Sequence, residues 1–204
     1  VAPALPAGVP YDPLRDFTHI ALLGGPPAVL VVHPSVAAND LQEFVRLSKS
    51  RPGKFSYGSP GNGTQGHLVG ELLKRMAGID LQHVPYKGGT GAIADLIAGH
   101  LPVASITLST AAGQIRAGRA RALAISASRR LPDYPGVPTY AELGYPDLVA
   151  TIWFSLSGPA HLPGEVVDRL NTEVRRALEL PEVRERLRPE GIVPGRLDAR
   201  EFAA

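Results

Sequence analysis

Cysteine is absent from the 204 residues, which excludes disulfides, thiolate nucleophiles and Cys-based metal sites and leaves both a cytoplasmic and a bacterial-envelope setting open. An excess of one charge is also lacking. The 21 Lys and Arg are mixed with 19 Asp and Glu, for a net charge of +2, so no basic stripe exists and no nucleic acid is expected as a partner. No apolar run reaches the roughly 18 residues that a membrane span needs. The charged-then-apolar pattern of a signal peptide is missing, and the chain opens on Val1, not Met, so the expectation is that something upstream has been removed. The six histidines, His19, His33, His67, His83, His100 and His161, stand singly, without a pair at metal-ligand spacing, and neither a metal nor a cofactor is expected. The Gly-x-Ser-x-Gly of a serine hydrolase does not occur around Ser59.

What is present is an alternation of short apolar runs and amphipathic stretches. After an opening loop, Val1 to Asp16, broken by Pro3, Pro6, Pro10 and Pro13, two apolar stretches between Ile20 and Val32 flank Gly24-Gly25-Pro26-Pro27, and the second reads as a buried strand. Asn39 or Asp40 caps a helix carrying Leu41, Phe44, Val45 and Leu47, stopped at Arg51-Pro52-Gly53. Three strand, loop and helix units follow. The strands are predicted at Phe55 to Gly58, Leu81 to Val84 and Val103 to Leu108, and the first helix is predicted to gather Leu68, Leu72, Leu73 and Met76 on one face. A fourth strand covers Leu123 to Ser126. This order predicts an α/β fold with a parallel sheet. Beyond Arg130, four prolines surround a short helical piece, Thr139 to Leu143. Thr151 to Ser157 reads as a strand bearing Trp153, which is expected to fill core though it could instead line a cleft. An amphipathic helix follows with Val166, Val167, Leu170, Val174 and Leu178, and shorter helices start at Pro181 and Asp198.

The candidate site is the pair of loops Ser59 to Thr64 and Tyr86 to Gly91, each leading from a strand's C-terminal end into a helix. Helix N-termini there present N–H groups and the positive end of the dipole, so an anion is the natural guest. The first loop approaches a nucleotide P-loop, with Gly58 and Gly63 correctly spaced, but Thr64-Gln65 stands where Lys and Ser/Thr are required. His67, on the first turn after the loop, offers a base, although nothing near it in sequence orients it, and a histidine on the helix surface or a satisfied, partly buried one is the plainer reading. Lys87 is either a charge partner at the loop mouth or a solvated lysine. Arg175, Arg176, Arg184, Arg186 and Arg188, mixed with glutamates, read as a solvated helical face.

Several stretches resemble the Bug family, the substrate-binding receptors of tripartite tricarboxylate transporters: Tyr11-Asp12-Pro13-Leu14-Arg15-Asp16-Phe17, Val31-Val32-His33-Pro34-Ser35, Pro52-Gly53-Lys54-Phe55-Ser56-Tyr57, Gly61-Asn62-Gly63-Thr64 with His67, His83-Val84-Pro85-Tyr86-Lys87-Gly88, Ile115-Arg116-Ala117-Gly118, Val137-Pro138-Thr139, Trp153-Phe154 and Val166-Val167-Asp168-Arg169-Leu170-Asn171. The resemblance implies a periplasmic-binding-protein-like, two-lobed Venus-flytrap fold of type II, which closes on a small di- or tricarboxylate or related acid in the periplasm and hands it to the transporter's membrane permease subunits. It implies that residues 29–150 are the second lobe, that 1–28 are a remnant of the first, and that 151–204 return to it. The first lobe would then be incomplete, because the family's first strands and a proline- and glycine-rich carboxylate loop precede the Tyr-Asp-Pro stretch. Ligand contact carries over to Ser59, Gly61, Asn62, Gly63 and Thr64, with His67, Tyr86 and Lys87 beside them. Many family members carry an acidic residue at the third strand's end, where this chain has Ile106, so a simple carboxylate is expected over an amino acid.

Two other classes compete with that reading. One is an α/β enzyme acting on an anionic small molecule with the loop Ser59 to Thr64 and His67 as base, which requires a nucleophile and base in mutual reach that the sequence does not display. The other is a chain that self-associates through its incomplete lobe, since an orphaned sheet edge finds a partner.

Overall fold

Ala28–Val32 has no polar side chain, and such a strand has to bury both faces. In the computed structural model, which describes residues 10–203, it does so as strand β2 (β1 is introduced below), with all five residues buried. Alternation sends Ala28, Leu30 and Val32 into one apolar cluster and Val29 and Val31 into another. The sheet belongs to a unit formed by Pro26–Ile152. Its strands β3 (Phe55–Ser59), β4 (Leu81–Pro85), β5 (Val103–Thr107) and β6 (Arg121–Ile125) join β2 in the order β4-β3-β5-β2-β6. Helices α1 (Leu41–Ser50) and α2 (Gln65–Ala77) contribute Leu41, Phe44, Val69 and Leu73 to the first cluster; α3 (Gly89–Ile97) and α4 (Leu108–Arg116) contribute Ile93, Leu96, Leu108 and Ala111 to the second.

The predicted parallel sheet is a mixed one. β3 runs parallel to β4 and β5, but β2 is antiparallel to both β5 and β6. An all-apolar strand has the same pattern in either direction, so its periodicity carries no polarity. Nor does Ile106 line an opening at the end of β5. It is wholly buried in the second cluster, because its place in the alternation puts it on the α3/α4 face, and the inference drawn from it about an amino group falls away.

Asp40 caps α1 by accepting the Glu43 N–H at 2.7 Å, while the Glu43 carboxylate accepts the Asn39 N–H at 2.7 Å. In α2 the expected apolar face is turned. Val69, Leu73 and Ala77 are buried together with Gly66 and Gly70, whereas Leu68 and Leu72 are each 42% exposed and Met76 37%. The helix lies on its glycines: a Cβ at Gly70 would stand 2.3 Å from Tyr57 Cε2, so only glycine allows the helix to approach that ring. The predicted helix at Thr139 to Leu143 is a turn. Thr139 and Glu142 exchange two capping hydrogen bonds, but Gly144 and Pro146 end the segment before a second turn propagates.

The second unit reaches up to Gly25 and resumes at Trp153. The expected opening loop lies outside the described residues up to Val9; from Pro10 to Asp16 it is irregular, with the Asp12 carboxylate accepting the Leu14 and Arg15 N–H groups. β1 (Phe17–Gly24) pairs antiparallel with β7 (Phe154–Pro159). Helix α5 (Gly164–Glu179) lies against β1, its buried Asn171 donating to the Ile20 carbonyl at 2.8 Å. α6 (Pro181–Leu187) and α7 (Ala199–Ala203) follow. Of the predicted α5 stripe, Val167 and Leu178 are buried but Val166 and Leu170 are exposed, since a two-stranded ribbon is too narrow to cover it. Trp153, expected in the core, is 60% exposed and meets Phe202 edge-on. Among the described residues no helix is long and apolar enough to cross a membrane.

Candidate functional site

Three successive strand-to-helix turns, β3 to α2, β4 to α3 and β5 to α4, meet at one edge of the sheet. The first two are joined directly: the Tyr86 N–H donates to the Ser59 carbonyl at 3.0 Å and the Gly88 N–H to the Pro60 carbonyl at 2.9 Å. Gly61, at φ +139°, would carry its Cβ 3.0 Å from the Tyr86 carbonyl, so the contact between loops depends on its missing side chain. Gly89 of the second turn lies against Thr110 of the third, where Thr107, Thr110 and Ser109 share a hydroxyl cluster.

Within the first loop the sequence-derived candidates are brought together. Thr64 is the N-cap of α2, and its hydroxyl donates to the Gly61 carbonyl at 2.7 Å. The Gly63 N–H donates to His67 Nδ1 at 3.0 Å. Ser59 is fully buried; its Oγ lies 2.7 Å from His83 Nε2 and 3.2 Å from both the nitrogen and the oxygen of Gly61. Asn62 and Lys87 are exposed. Tyr86 is half-buried and donates to Asp95 at 2.6 Å; burial first, and this carboxylate second, push its hydroxyl up to about 12.

His83 was the residue missed. The parallel register of β3 and β4 sets it beside Tyr57, and α2 then lays His67 over it, the two imidazoles stacking at 4.2 Å. His67 is thus half-buried and hydrogen-bonded, and no longer without a second histidine beside it. Glu71 accepts the Tyr57 hydroxyl at 2.7 Å and pairs with Lys74 at 2.9 Å. Burial would raise the Glu71 carboxyl, but these two donors hold it below its ordinary value. Burial, then the proximity of His67, lowers His83. Among the described residues no group of three or more His, Asp or Glu is disposed to hold a metal. Two buried polar atoms near the start of α2, Gln65 Oε1 and Ser105 Oγ, lack a protein partner, which leaves capacity there for water or a bound molecule. A depression of about 320 Å³ lined by Pro34, Ile115, Ala120, Arg121 and Val137 lies at the opposite edge of the sheet and contains none of these residues.

The sequence profile of a family described as "Tripartite tricarboxylate transporter family receptor" matches residues 1–204. The chain is 37% identical over 185 residues to the "UPF0065 protein in tcbD-tcbE intergenic region" of Pseudomonas sp. (strain P51), covering 90% of this chain and 55% of the relative. It is 34% identical over 191 residues to "Protein BugT" of Bordetella pertussis, covering 94% and 59%. The chain therefore spans a little over half the length of these curated relatives. Among solved structures, "Structure of a periplasmic transporter" superposes with a TM-score of 0.93 at 37% identity, covering all of this chain and 68% of the other. "R. palustris Rpa4515 with adipate" gives 0.88 at 32%, covering 94% and 64%, and "MatC (Rpa3494) from Rhodopseudomonas palustris with bound malate" gives 0.84 at 31%, covering 95% and 67%.

Proposed function

The chain belongs to the tripartite tricarboxylate transporter receptor family, and on that premise we propose that it binds a small carboxylate at the loop Ser59–Thr64, with His67, Tyr86 and Lys87 beside it. The observation that carries the proposal is the meeting of three helix N-termini at one sheet edge, with the Ser59 and Tyr86 loops joined backbone to backbone. Converging N–H groups and dipoles favour a negative charge. A carboxylate suits them because similar proteins were solved with adipate and with malate. Exposed Asn62 offers its side-chain amide and backbone N–H, whereas Gly61, Gly63 and Thr64, whose N–H groups are bound within the loop, and buried Ser59 act by shaping it. The family and its solved members are solute-binding proteins, not enzymes. A periplasmic setting, delivery to the membrane subunits of a transporter, and the assignment of residues 29–150 to the second lobe are part of the same proposal and are supported by family membership.

The test is nuclear magnetic resonance of the ¹⁵N-labelled chain titrated with malate and with adipate. Amide shifts concentrated in Gly61–Thr64 and Tyr86–Gly91, weakened in Thr64→Ala, are expected. No shifts, or shifts confined to other segments, would refute the site.

A further inference from the structure

We propose that His83 is a positioning residue of this loop: it holds the Ser59 hydroxyl away from the Gly61 carbonyl, and its protonation loosens the loop and lowers carboxylate affinity. The inference rests on the reading of Ser59–Thr64 as the ligand site.

The Gly61 carbonyl accepts the Thr64 hydroxyl at 2.7 Å and the Thr64 N–H at 3.3 Å, which fills both lone pairs. Ser59 has a single hydroxyl proton and two neighbours able to take it: His83 Nε2 at 2.7 Å and the Gly61 carbonyl at 3.2 Å. With Gly61 already saturated, the Ser59 hydroxyl donates its hydrogen bond to His83 Nε2, so the ring is neutral and carries its one proton on Nδ1. The Ser59 oxygen meanwhile accepts the Gly61 N–H.

A protonated imidazole has N–H at both nitrogens. Nε2 must then donate to Ser59, and the Ser59 proton turns to Gly61 as a third donor. One of the two Thr64 bonds weakens, and Thr64 is the cap that starts α2. The groups facing the ring are Tyr57 from β3, 4.9 Å away, and His67, Glu71 and Lys74 from α2. Glu71 is already shared between Tyr57 and Lys74. Attraction between a charged ring and a bound carboxylate opposes the effect, and titration of the ligand-free chain reads the loop without it. Burial and the stacked His67 favour the neutral ring in the resting protein.

Three proteins test this: the unaltered chain, His83→Gln and His83→Phe, each titrated with malate and adipate between about pH 7.5 and about pH 5, across the ordinary imidazole range. Gln keeps an acceptor for Ser59 that cannot gain a proton, so binding is retained and the difference in pH profile from the unaltered chain isolates His83 from the titration of the ligand itself. Phe removes the acceptor and lowers affinity about three- to tenfold at every pH, the value of one hydrogen bond. In the ligand-free chain, the Gly61 and Thr64 amide resonances show a component that follows the His83 titration with the same midpoint, and that component is lost in His83→Gln. Amides that ignore His83, or whose titration is identical in the Gln variant, overturn the inference. If neither acid binds, the carboxylate reading fails by itself, and the ligand-free titration still decides the role of His83.

Discussion

Replacing Gly70 by alanine should damage the chain more than its mild chemistry suggests. The added Cβ would lie 2.3 Å from Cε2 and 2.6 Å from Cζ of Tyr57, where carbon atoms normally stand about 3.5–4.0 Å apart. The ring cannot turn aside freely: Tyr57 is fully buried, its hydroxyl donates to Glu71, and its face meets His83. Either the ring or α2 must move by more than about 1 Å. Overpacking of this kind costs about 1–3 kcal/mol, against about 1 kcal/mol gained from alanine in a helix, and losing the Tyr57–Glu71 bond adds about 1 kcal/mol. The net expectation is a loss of about 1–3 kcal/mol. Gly113→Ala in α4 is the control, because no atom lies within 4 Å of its added Cβ, and it should gain about 0.5–1 kcal/mol from propensity alone. Urea denaturation followed by circular dichroism measures both. In thermal melts the two variants should sit about 3–16 °C apart, at about 2–4 °C per kcal/mol for a chain of this length, with Gly70→Ala the lower. A Gly70→Ala protein as stable as Gly113→Ala would refute the claim that α2 lies on its glycines.

Ser126→Ala should destabilise by about 1–3 kcal/mol, because the buried Ser126 Oγ accepts the Ala28 N–H at 2.8 Å and its hydroxyl donates to the Ala150 carbonyl; an unchanged denaturation midpoint would contradict this. Stability should also fall on acidification through the usual imidazole value of 6.5, because the folded His83 takes its proton at a lower pH and the unfolded chain therefore binds it first. Above that value both states are neutral and the effect is absent, so urea midpoints of the unaltered chain and of His83→Gln should diverge only below it.

Much of the fold was legible locally. The α1 cap at Asp40 with Glu43, the strand and helix alternation from β3 to β6 and the breaks at Arg51-Pro52 and Gly99 each depend on side chains a few residues apart. The two loops at the strand ends were legible for the same reason, since glycine and a capping threonine declare a strand-to-helix turn without help from the rest of the chain. The errors share a different cause. Leu68, Leu72 and Met76 form a regular helical stripe, yet the surface that α2 contacts is fixed by Tyr57 and Ser105 on other strands. Trp153 is large and apolar, but burial requires a neighbouring layer, which residue type alone does not provide.

By itself the sequence determined the order of strands and helices from β2 to β6 and, through its resemblance, the receptor family. Only the tertiary structure decided that β2 runs antiparallel, that Ile106 is core, and that His83 stands between Tyr57 and His67 beneath the loop. Hydrophobic periodicity is a local quantity that survives reversal of a strand, whereas the pairing of His67 with His83 exists only once the β3–β4 register and the close approach of α2 are both in place.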